Sequence, residues 1–507
     1  MDESLAASTR MFLLAATTME PTATWMILIL ALALALGFEF VNGFHDTANA
    51  VATVIYTHAL PPNTAVVWSG LWNLLGVLFS SGAVAFGVVA LLPVELVLNV
   101  GSATGYAMVF ALLVSAILWN LGTWSLGLPA SSSHTLIGSI LGVGFANSLL
   151  HHDSFGQGVN WGKAEEVGLS LLVSPVLGFL CAGLLLLLLK RVVRNPALFS
   201  APQPGVTPPL WIRSILVFTC TGVSFAHGSN DGQKGMGLVM LILVGILPGS
   251  YALKMNETPE QVRSVAVASK DAAEVFATLT GATRLDVAAA RKELSDYVGP
   301  GGALRPETYA ALATNCREVS VRLTAVATFR DLSESARREL RTDAYLIDGA
   351  ISKLDRTRQL TDPKVAEPAR ALRGQLEGAT QYIPLWVKVA IAAALGFGTT
   401  VGWKRIVVTV GEKIGKSHLT YGQGASAEVV AMGTILAADS LGLPVSTTHV
   451  LSSGVAGTMA ANRSGLQTAT LRNILLAWVL TLPVCVFLGA VLFAFGNYVL
   501  LHALGLK

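Results

Sequence analysis

The sequence predicts an all-α, polytopic membrane protein built from two repeated halves, with interrupted helices and a soluble, mostly helical insertion. Three observations lead to this fold class. Of the 507 residues, 53% are hydrophobic and only 13% are charged, about half the charged fraction of a soluble globular domain. Apolar runs close to the roughly 20 residues that cross a bilayer recur along the chain. Two different motifs each occur twice, in the same order.

The apolar runs locate the transmembrane segments. Several are shorter than a full span or contain Gly and Pro, so we expect roughly ten to twelve helices. The clearest runs are Trp25–Phe38, Val66–Leu92, Met108–Leu126, Leu169–Leu189, Trp211–Phe225, Leu238–Leu253, Ile383–Trp403, Val429–Leu443 and Ile474–Leu501.

The two repeated motifs define the halves. Asn42–Ala50 parallels His227–Gly235, and further on Leu128–His134 parallels Leu443–His449. Because both pairs occur in register, chance similarity is a poor explanation. Repeated halves of this kind are typical of secondary transporters, in which the substrate site lies where the repeats meet. We expect inverted halves, which requires an odd number of spans in each half, a number that the apolar runs leave open.

The spacing of the motifs locates an insertion in the second half. Asp46 and His134 are 88 positions apart, whereas Asp231 and His449 are 218 positions apart. The excess nearly equals the 128 residues of the polar stretch Lys254–Gln381, which holds 19 Lys and Arg and 18 Asp and Glu. Such balanced charge argues against a polybasic lipid-binding arm. We expect a soluble helical unit with a spacer or regulatory role.

These observations divide the chain into six segments. They are an N-terminal segment 1–22, a first transmembrane repeat 23–195, a linker 196–210, the start of the second repeat 211–253, the insertion 254–381 and the remainder of the second repeat 382–507.

The overall charge and the cysteines exclude other classes of protein. A net charge of +3 is too small to indicate a nucleic-acid partner. The four cysteines are scattered without a Cys-x-x-Cys spacing, so we expect neither a disulfide nor a cysteine metal site. We expect membrane lipid, rather than nucleic acid, to surround the protein.

The first motif of each half carries an acidic residue. A carboxylate at bilayer depth costs a few kcal/mol, so Asp46 and Asp231 are expected to have partners or a function. Gly43 and Gly228 are expected to let each helix unwind beside the carboxylate and expose carbonyl groups. The alternative is that each Asp caps a helix at the membrane surface.

Amide side chains surround these carboxylates in the sequence. Asn42, Asn49 and Asn230 supply hard oxygen ligands of the kind that suit Na⁺ or Mg²⁺. We therefore expect a coupling-ion site on Asn42, Asp46, Asn230 and Asp231.

The second motif of each half predicts an anion site. Pro129 and Pro444 stop the preceding helix, and the hydroxyl run that follows each proline favours the start of a new helix. The free N–H groups and the positive dipole of such a helix start attract anions. The expected donors are Ser131, Ser132, Ser133, Ser446, Thr447 and Thr448. An ordinary capped turn is the alternative.

Three further polar residues complete the expected site. Lys234 takes the place of Asn49 in the repeat and supplies a fixed positive charge, unless it extends to the membrane interface. Glu428 is either a carrier of the coupling ion or the polar end of a helix. His134 and His449 are expected to pack helices or to make hydrogen bonds rather than to bind a metal.

At these motifs the sequence resembles the inorganic phosphate transporter (Pit) family, and most of all its bacterial low-affinity members. The resemblance is carried by Phe40–Ala50, Ala226–Gly235, Gly411–Lys416 and Gly442–Ser453. It implies a homodimer in the bacterial inner membrane that transports inorganic phosphate with a cation. It also implies that Asp46, Asn49, Asp231 and the hydroxyl runs surround the substrate.

The coupling ion is the point on which the resemblance leaves alternatives. Sodium-coupled animal relatives keep a Glu where this chain has Glu428 and another where it has Asn73. The loss of that second Glu, together with Lys234, favours protons over Na⁺. It also favours a neutral complex of phosphate with Mg²⁺ or another divalent metal, without a resident cofactor. The alternatives are a sodium-coupled phosphate symporter, a sulfate permease of the same family, an anion channel and, least of all, an intramembrane enzyme.

Overall fold

A computed structural model describes residues 21–92, 96–97, 100–150, 159–203, 205–280, 283–299 and 301–503, without the side chains at 21, 47–49 and 503. The expected N-terminal segment 1–22 thus lies almost wholly outside the described residues. The first half consists of α1 (Pro21–Tyr56), α2 (Pro62–Phe79), α3 (Ala83–Val89), α4 (Ala103–Ser125), α5 (Ser132–Leu150) and α6 (Trp161–Val192).

The second half follows a 3₁₀ turn at Pro196–Phe199. It begins with α7 (Leu210–Ile246) and the short α8 (Pro248–Tyr251), and after an insertion it continues as α14 (Leu385–Thr399), α15 (Lys404–Glu412), α16 (Tyr421–Ser440), α17 (Thr447–Ala461) and α18 (Thr468–Tyr498). A π-helical turn, Val499–Ala503, extends α18.

Six helices of each half correspond in order, and the short α8 has no counterpart among the described residues of the first half. α1 and α7 have 36 and 37 residues, and α6 and α18 have 32 and 31 residues. Between them, α2 to α5 of the first half match α14 to α17 of the second half in order. Within the described residues the chain forms helices and no β-strand, so the prediction of an all-α protein with repeated halves is confirmed. The inverted relation of the halves stays a prediction.

Glycines bring helices of opposite halves into close contact. A Cβ atom at Gly43 of α1 would lie 2.3 Å from the Leu395 carbonyl oxygen of α14. A Cβ atom at Gly228 of α7 would lie 2.1 Å from the Asn73 carbonyl oxygen of α2. The repeat therefore extends from the sequence to the packing. In each half, the helix that carries the first motif packs against a helix of the other half.

This packing corrects one prediction about the signature motifs. α1 and α7 stay helical through Asp46 and Asp231, so the expected unwinding at Gly43 and Gly228 is wrong. These glycines serve close helix contacts instead of exposing carbonyls. The interruptions lie elsewhere, at the bend of 79° between α2 and α3 and at the turns that precede α5 and α17.

The described helices are long and apolar enough to cross a membrane several times. Six of them pass by length and composition, or eight if each of two bent helix pairs counts as one span, which is below the expected ten to twelve. Large apolar side chains cover the outer surfaces of α6 and α18, including Leu172, Leu184, Phe487 and Phe495. Such surfaces are stable against lipid rather than water.

The insertion forms a helical unit with its own apolar core. It contains α9 (Pro259–Ala277), α10 (Val287–Val298), α11 (Pro306–Thr324), α12 (Glu334–Arg356) and α13 (Pro363–Thr380), with a 3₁₀ turn at Phe329–Asp331. Their apolar faces enclose a cluster that includes Phe276, Tyr297, Ile347 and Leu372. Arg291 bonds both carboxylate oxygens of the buried Asp343, at 2.6 and 2.8 Å.

Candidate functional site

Four helices bring the repeated motifs together in the interior. Asp46 of α1 and Asp231 of α7 lie beside the first turns of α5 and α17, where the hydroxyl runs begin. Asp46 is 2% exposed and Asp231 is fully buried. The N-terminal ends of two helices therefore face two carboxylates inside the protein.

Hydroxyl groups from both halves contact these carboxylates. The Ser132 Oγ lies 2.9 Å from Asp46 Oδ2 and 3.2 Å from Asp231 Oδ2, so it bridges the two acids. Thr448 donates to Asp46 Oδ1 at 2.5 Å. The site is thus shared between the halves at the level of single side chains.

Lys234 supplies a buried positive charge. Its Nζ lies 2.8 Å from Asp231 Oδ1 and donates to Ser133 Oγ at 2.5 Å. The Ser133 hydroxyl in turn donates to the Val445 carbonyl at 2.8 Å, which joins α5 to the turn before α17. Because Lys234 is fully buried, the structure excludes the alternative in which it extends to the membrane interface.

A histidine that the sequence reasoning did not select lies between the two acids. His227 Nε2 is 3.6 Å from Asp231 Oδ2 and 3.9 Å from Asp46 Oδ2. Its Nδ1 makes a hydrogen bond of 3.0 Å with Asn73 Oδ1. His227 precedes Asp231 by four residues, which is one helical turn, and that spacing is the signal that could have found it.

The hydroxyl runs divide into capping and site residues. The side chains of Ser131 and Ser446 accept the backbone N–H groups of His134 and His449, both at 3.2 Å, and so cap α5 and α17. The Thr447 hydroxyl is buried and has no hydrogen-bond partner among the described residues. Ser131 and Ser446 thus cap their helices, and their expected role as donors to an anion stays a prediction.

Two of the expected amides make hydrogen bonds to groups other than Asp46 and Asp231. Asn230 bonds the Leu443 carbonyl at 3.1 Å and the Val445 N–H at 3.3 Å, which holds the turn before α17. Asn42 donates to Glu39 at 3.4 Å. The side chain of Asn49 lies outside the described residues.

Two buried glutamates lie outside this group of residues. Glu428 of α16 is fully buried and accepts a hydrogen bond from Thr219 of α7, so it is not at the polar end of a helix. Glu39 of α1 is also fully buried, and its Oε1 has no hydrogen-bond partner among the described residues. The sequence reasoning missed Glu39, although it precedes Asp46 by seven residues and so lies on the same face of α1.

His134 and His449 of the repeat pack against each other. The His134 and His449 rings lie 4.5 Å apart between centroids, and the His449 ring stacks on Trp478 at 4.0 Å. Both histidines thus fix the starts of α5 and α17 against each other and against α18.

The same arrangement of motifs identifies the family. A family model described as the phosphate transporter family (PHO4) matches residues 42–489. The chain belongs to the phosphate transporter family. The resemblance that the motifs indicated is therefore confirmed, and the matched range covers most of both halves and the whole insertion.

Individual members of the phosphate transporter family resemble the chain over most of its length. The low-affinity inorganic phosphate transporter PitA of Escherichia coli (strain K12) is 41% identical over 491 residues, which cover 93% of this chain and 96% of that protein. PitB of the same strain is 40% identical over 490 residues with the same coverage. A solved structure described as the sodium-dependent phosphate transporter gives a TM-score of 0.49 at 20% identity, over 92% of this chain and 98% of the other. These relatives are transporters by name, which agrees with the prediction of a protein that is not an enzyme.

Proposed function

We propose that the chain is a symporter that imports inorganic phosphate across the bacterial inner membrane with protons, and that it takes phosphate as a neutral complex with a divalent metal. The observation that supports this proposal most strongly is that the buried side chains of Asp46, Asp231 and Lys234 lie together at the N-termini of α5 and α17. The proposed substrate residues are Asp46, Asn49, Ser131, Ser132, Ser133, Asp231, Lys234, Ser446, Thr447 and Thr448.

The donors of the site suit a tetrahedral oxyanion. Ser132, Ser133, Thr447 and Thr448 lie in or beside the first turns of two helices, whose free backbone N–H groups attract anions. Lys234 adds three N–H donors on a buried positive charge. The names of PitA and PitB support phosphate as the anion.

The charges of the site support entry together with cations. Two carboxylates and one lysine leave a net charge of −1 when the histidines are neutral, and HPO₄²⁻ would bring the total to −3. At roughly 4 Å and an effective dielectric constant near 20, each pair of like charges costs about 4 kcal/mol. A divalent metal and one proton together restore neutrality, which favours a metal-phosphate complex and proton coupling.

The coupling-ion residues follow from the same arrangement. We propose that Asn42, Asp46, Asn230, Asp231 and Glu428 respond to the coupling ion, and that Glu428 is the proton carrier. Glu428 is buried next to Thr219 and has no ion-pair partner among the described residues, so it is suited to bind and release a proton. Asn73 stands where a sodium-coupled relative is expected to have a second Glu.

Transport assays with purified protein test the proposal. Phosphate uptake into proteoliposomes is measured while pH, Na⁺ and Mg²⁺ are varied independently, with sulfate as a competitor. We expect uptake that needs a divalent metal and stops with a proton uncoupler. Uptake that needs Na⁺ and ignores both Mg²⁺ and the uncoupler would establish the sodium-coupled alternative, and strong competition by sulfate would favour a sulfate permease.

We also propose that the protein works as a homodimer and that residues 254–381 form a soluble unit outside the bilayer. The separate apolar core and the charged surface of the insertion support the second point. Light scattering of the purified protein tests the first point, and accessibility of cysteines introduced in α9 and α12 to membrane-impermeant reagents tests the second.

A further inference from the structure

We infer that Asp46, His227 and Asp231 form a binding site for a transition-metal cation, with the His227 Nε2 atom as one ligand. The three ligand atoms all lie within 4.8 Å of one another, and all three residues are buried. The inference rests on the proposed function, because the metal is the cation of the metal-phosphate substrate rather than a resident cofactor.

Hydrogen bonds behind the imidazole decide which ring nitrogen faces the carboxylates. Thr399 donates to the Leu395 carbonyl at 2.9 Å, so its Oγ1 accepts the amide N–H of Asn73 at 3.0 Å. The Asn73 Oδ1 is therefore the atom that faces His227, and it accepts from Nδ1 at 3.0 Å. A neutral imidazole carries one proton. When the imidazole is neutral, the His227 Nε2 atom therefore keeps its lone pair on the side of the two acids.

The separations around Nε2 fit an ion better than a direct hydrogen bond. Nε2 is 3.6 Å from Asp231 Oδ2 and 3.9 Å from Asp46 Oδ2, beyond the roughly 2.7–3.2 Å of an N–H···O bond. It has no hydrogen-bond partner among the described residues. Two atoms that each lie roughly 2.1 Å from one ion are at most about 4.2 Å apart. Both separations fall within that limit.

The ligand types select the metal. Two carboxylate oxygens with one imidazole nitrogen suit Zn²⁺, Mn²⁺ or Co²⁺, whereas Mg²⁺ and Na⁺ prefer oxygen ligands alone. Metal-binding histidines usually donate their other ring N–H to a neighbouring acceptor that fixes the ring, and Asn73 is that acceptor here. The first half has Asn42 at the position that matches His227. That amide offers no imidazole nitrogen at the matched position.

A spectrum of the bound metal tests the ligand directly. Full-length protein in detergent is loaded with Mn²⁺ and examined by electron spin-echo envelope modulation. We expect ¹⁴N modulation from a bound imidazole in the wild type and in His418→Gln, a substitution of an exposed histidine, and no such modulation in His227→Gln. Mn²⁺ that shows oxygen ligands alone in the wild type would overturn the inference. If His227→Gln does not fold, oxygen ligands alone in the wild type would still overturn the inference.

Transport with different metals separates this inference from the proposed function. Phosphate uptake is measured with Mg²⁺, Mn²⁺, Co²⁺ or Zn²⁺ as the sole divalent cation. Because a Gln amide offers oxygen near the place of Nε2, we expect folded His227→Gln to lose at least about tenfold with Zn²⁺ and Co²⁺ and to keep uptake with Mg²⁺. An equal effect with every metal would overturn the inference. If the wild-type protein shows no phosphate uptake with any of these metals, the proposed function is refuted instead.

Discussion

Thr448, in the first turn of α17, donates a hydrogen bond of 2.5 Å to the Asp46 carboxylate of α1. This contact joins the second half of the chain to the first half inside the proposed substrate site. Because many secondary transporters move one repeat against the other, we expect both phosphate binding and the conformational change to alter this contact.

Removal of the Thr448 hydroxyl should weaken phosphate binding. A hydrogen bond to a charged group contributes about 1.5–3 kcal/mol, so we expect Thr448→Ala to raise the KM for phosphate by roughly tenfold or more. Thr448→Ser keeps the hydroxyl and should restore most of the affinity. Initial rates of uptake across a range of phosphate concentrations measure both variants. An unchanged KM in Thr448→Ala would show that this hydroxyl does not contact the substrate.

Neutralising Asp46 should abolish uptake. Asp46→Asn removes a charge that both Ser132 and Thr448 contact, and with it the attraction for a coupling cation. Glu166→Gln removes an exposed carboxylate on α6 and serves as the matched control. Uptake by both variants is compared at equal protein content in proteoliposomes. Asp46→Asn transport at the wild-type rate would contradict a role of this carboxylate in coupling.

Replacing Lys234 should change the cation requirement rather than simply weaken binding. Lys234→Asn introduces into the second half the residue type that the first half has at the matched position, Asn49. It also leaves Asp231 without its positive partner at 2.8 Å. We expect uptake to become more dependent on added Na⁺ or Mg²⁺. A uniform fall in uptake at every pH and cation concentration would mean that Lys234 only supports the structure.

The glycine contacts between the halves allow a stability test with a control on the same helix. A Cβ atom at Gly43 would lie 2.3 Å from the Leu395 carbonyl oxygen, whereas a Cβ atom at Gly37 would meet nothing within 4 Å. We expect Gly43→Ala to lower the thermal unfolding temperature in detergent or to prevent folding. Gly37→Ala should be neutral or stabilising by up to about 1 kcal/mol, because Ala favours helices over Gly. Equal unfolding temperatures of the two variants would show that the close contact between α1 and α14 at Gly43 does not contribute to stability.

The fold class could be predicted from the sequence because the repeat and the apolar segments each extend over long stretches of the chain. The same repeat placed Asp46 and Asp231 at matched positions, and the structure brings both acids to the starts of α5 and α17. The sequence could not distinguish a glycine that unwinds a helix from a glycine that permits close packing, because both roles depend on the absence of a side chain. That choice depends on Leu395 and Asn73, which lie in other helices.

His227 and Glu39 show a second limit of the sequence. In the comparison of the two halves, His227 aligns with Asn42. Because the two residues differ, the repeat did not point to His227, whose position depends on Asn73 of another helix. Glu39 lies before the motif, so its burial against Gly235 of α7 became visible only in the packed structure. Capping by Ser131 and Ser446, by contrast, depends on neighbours three residues away and was open to prediction.

Uphill transport tests the central claim most directly. Wild-type protein in proteoliposomes receives equal phosphate and Mg²⁺ on both sides, no Na⁺, and an imposed pH gradient that is acidic outside. We expect labelled phosphate to accumulate inside above the external concentration, and a proton uncoupler to abolish the accumulation. Phosphate that only equilibrates under the pH gradient, but accumulates when an inward Na⁺ gradient replaces it, would contradict proton coupling.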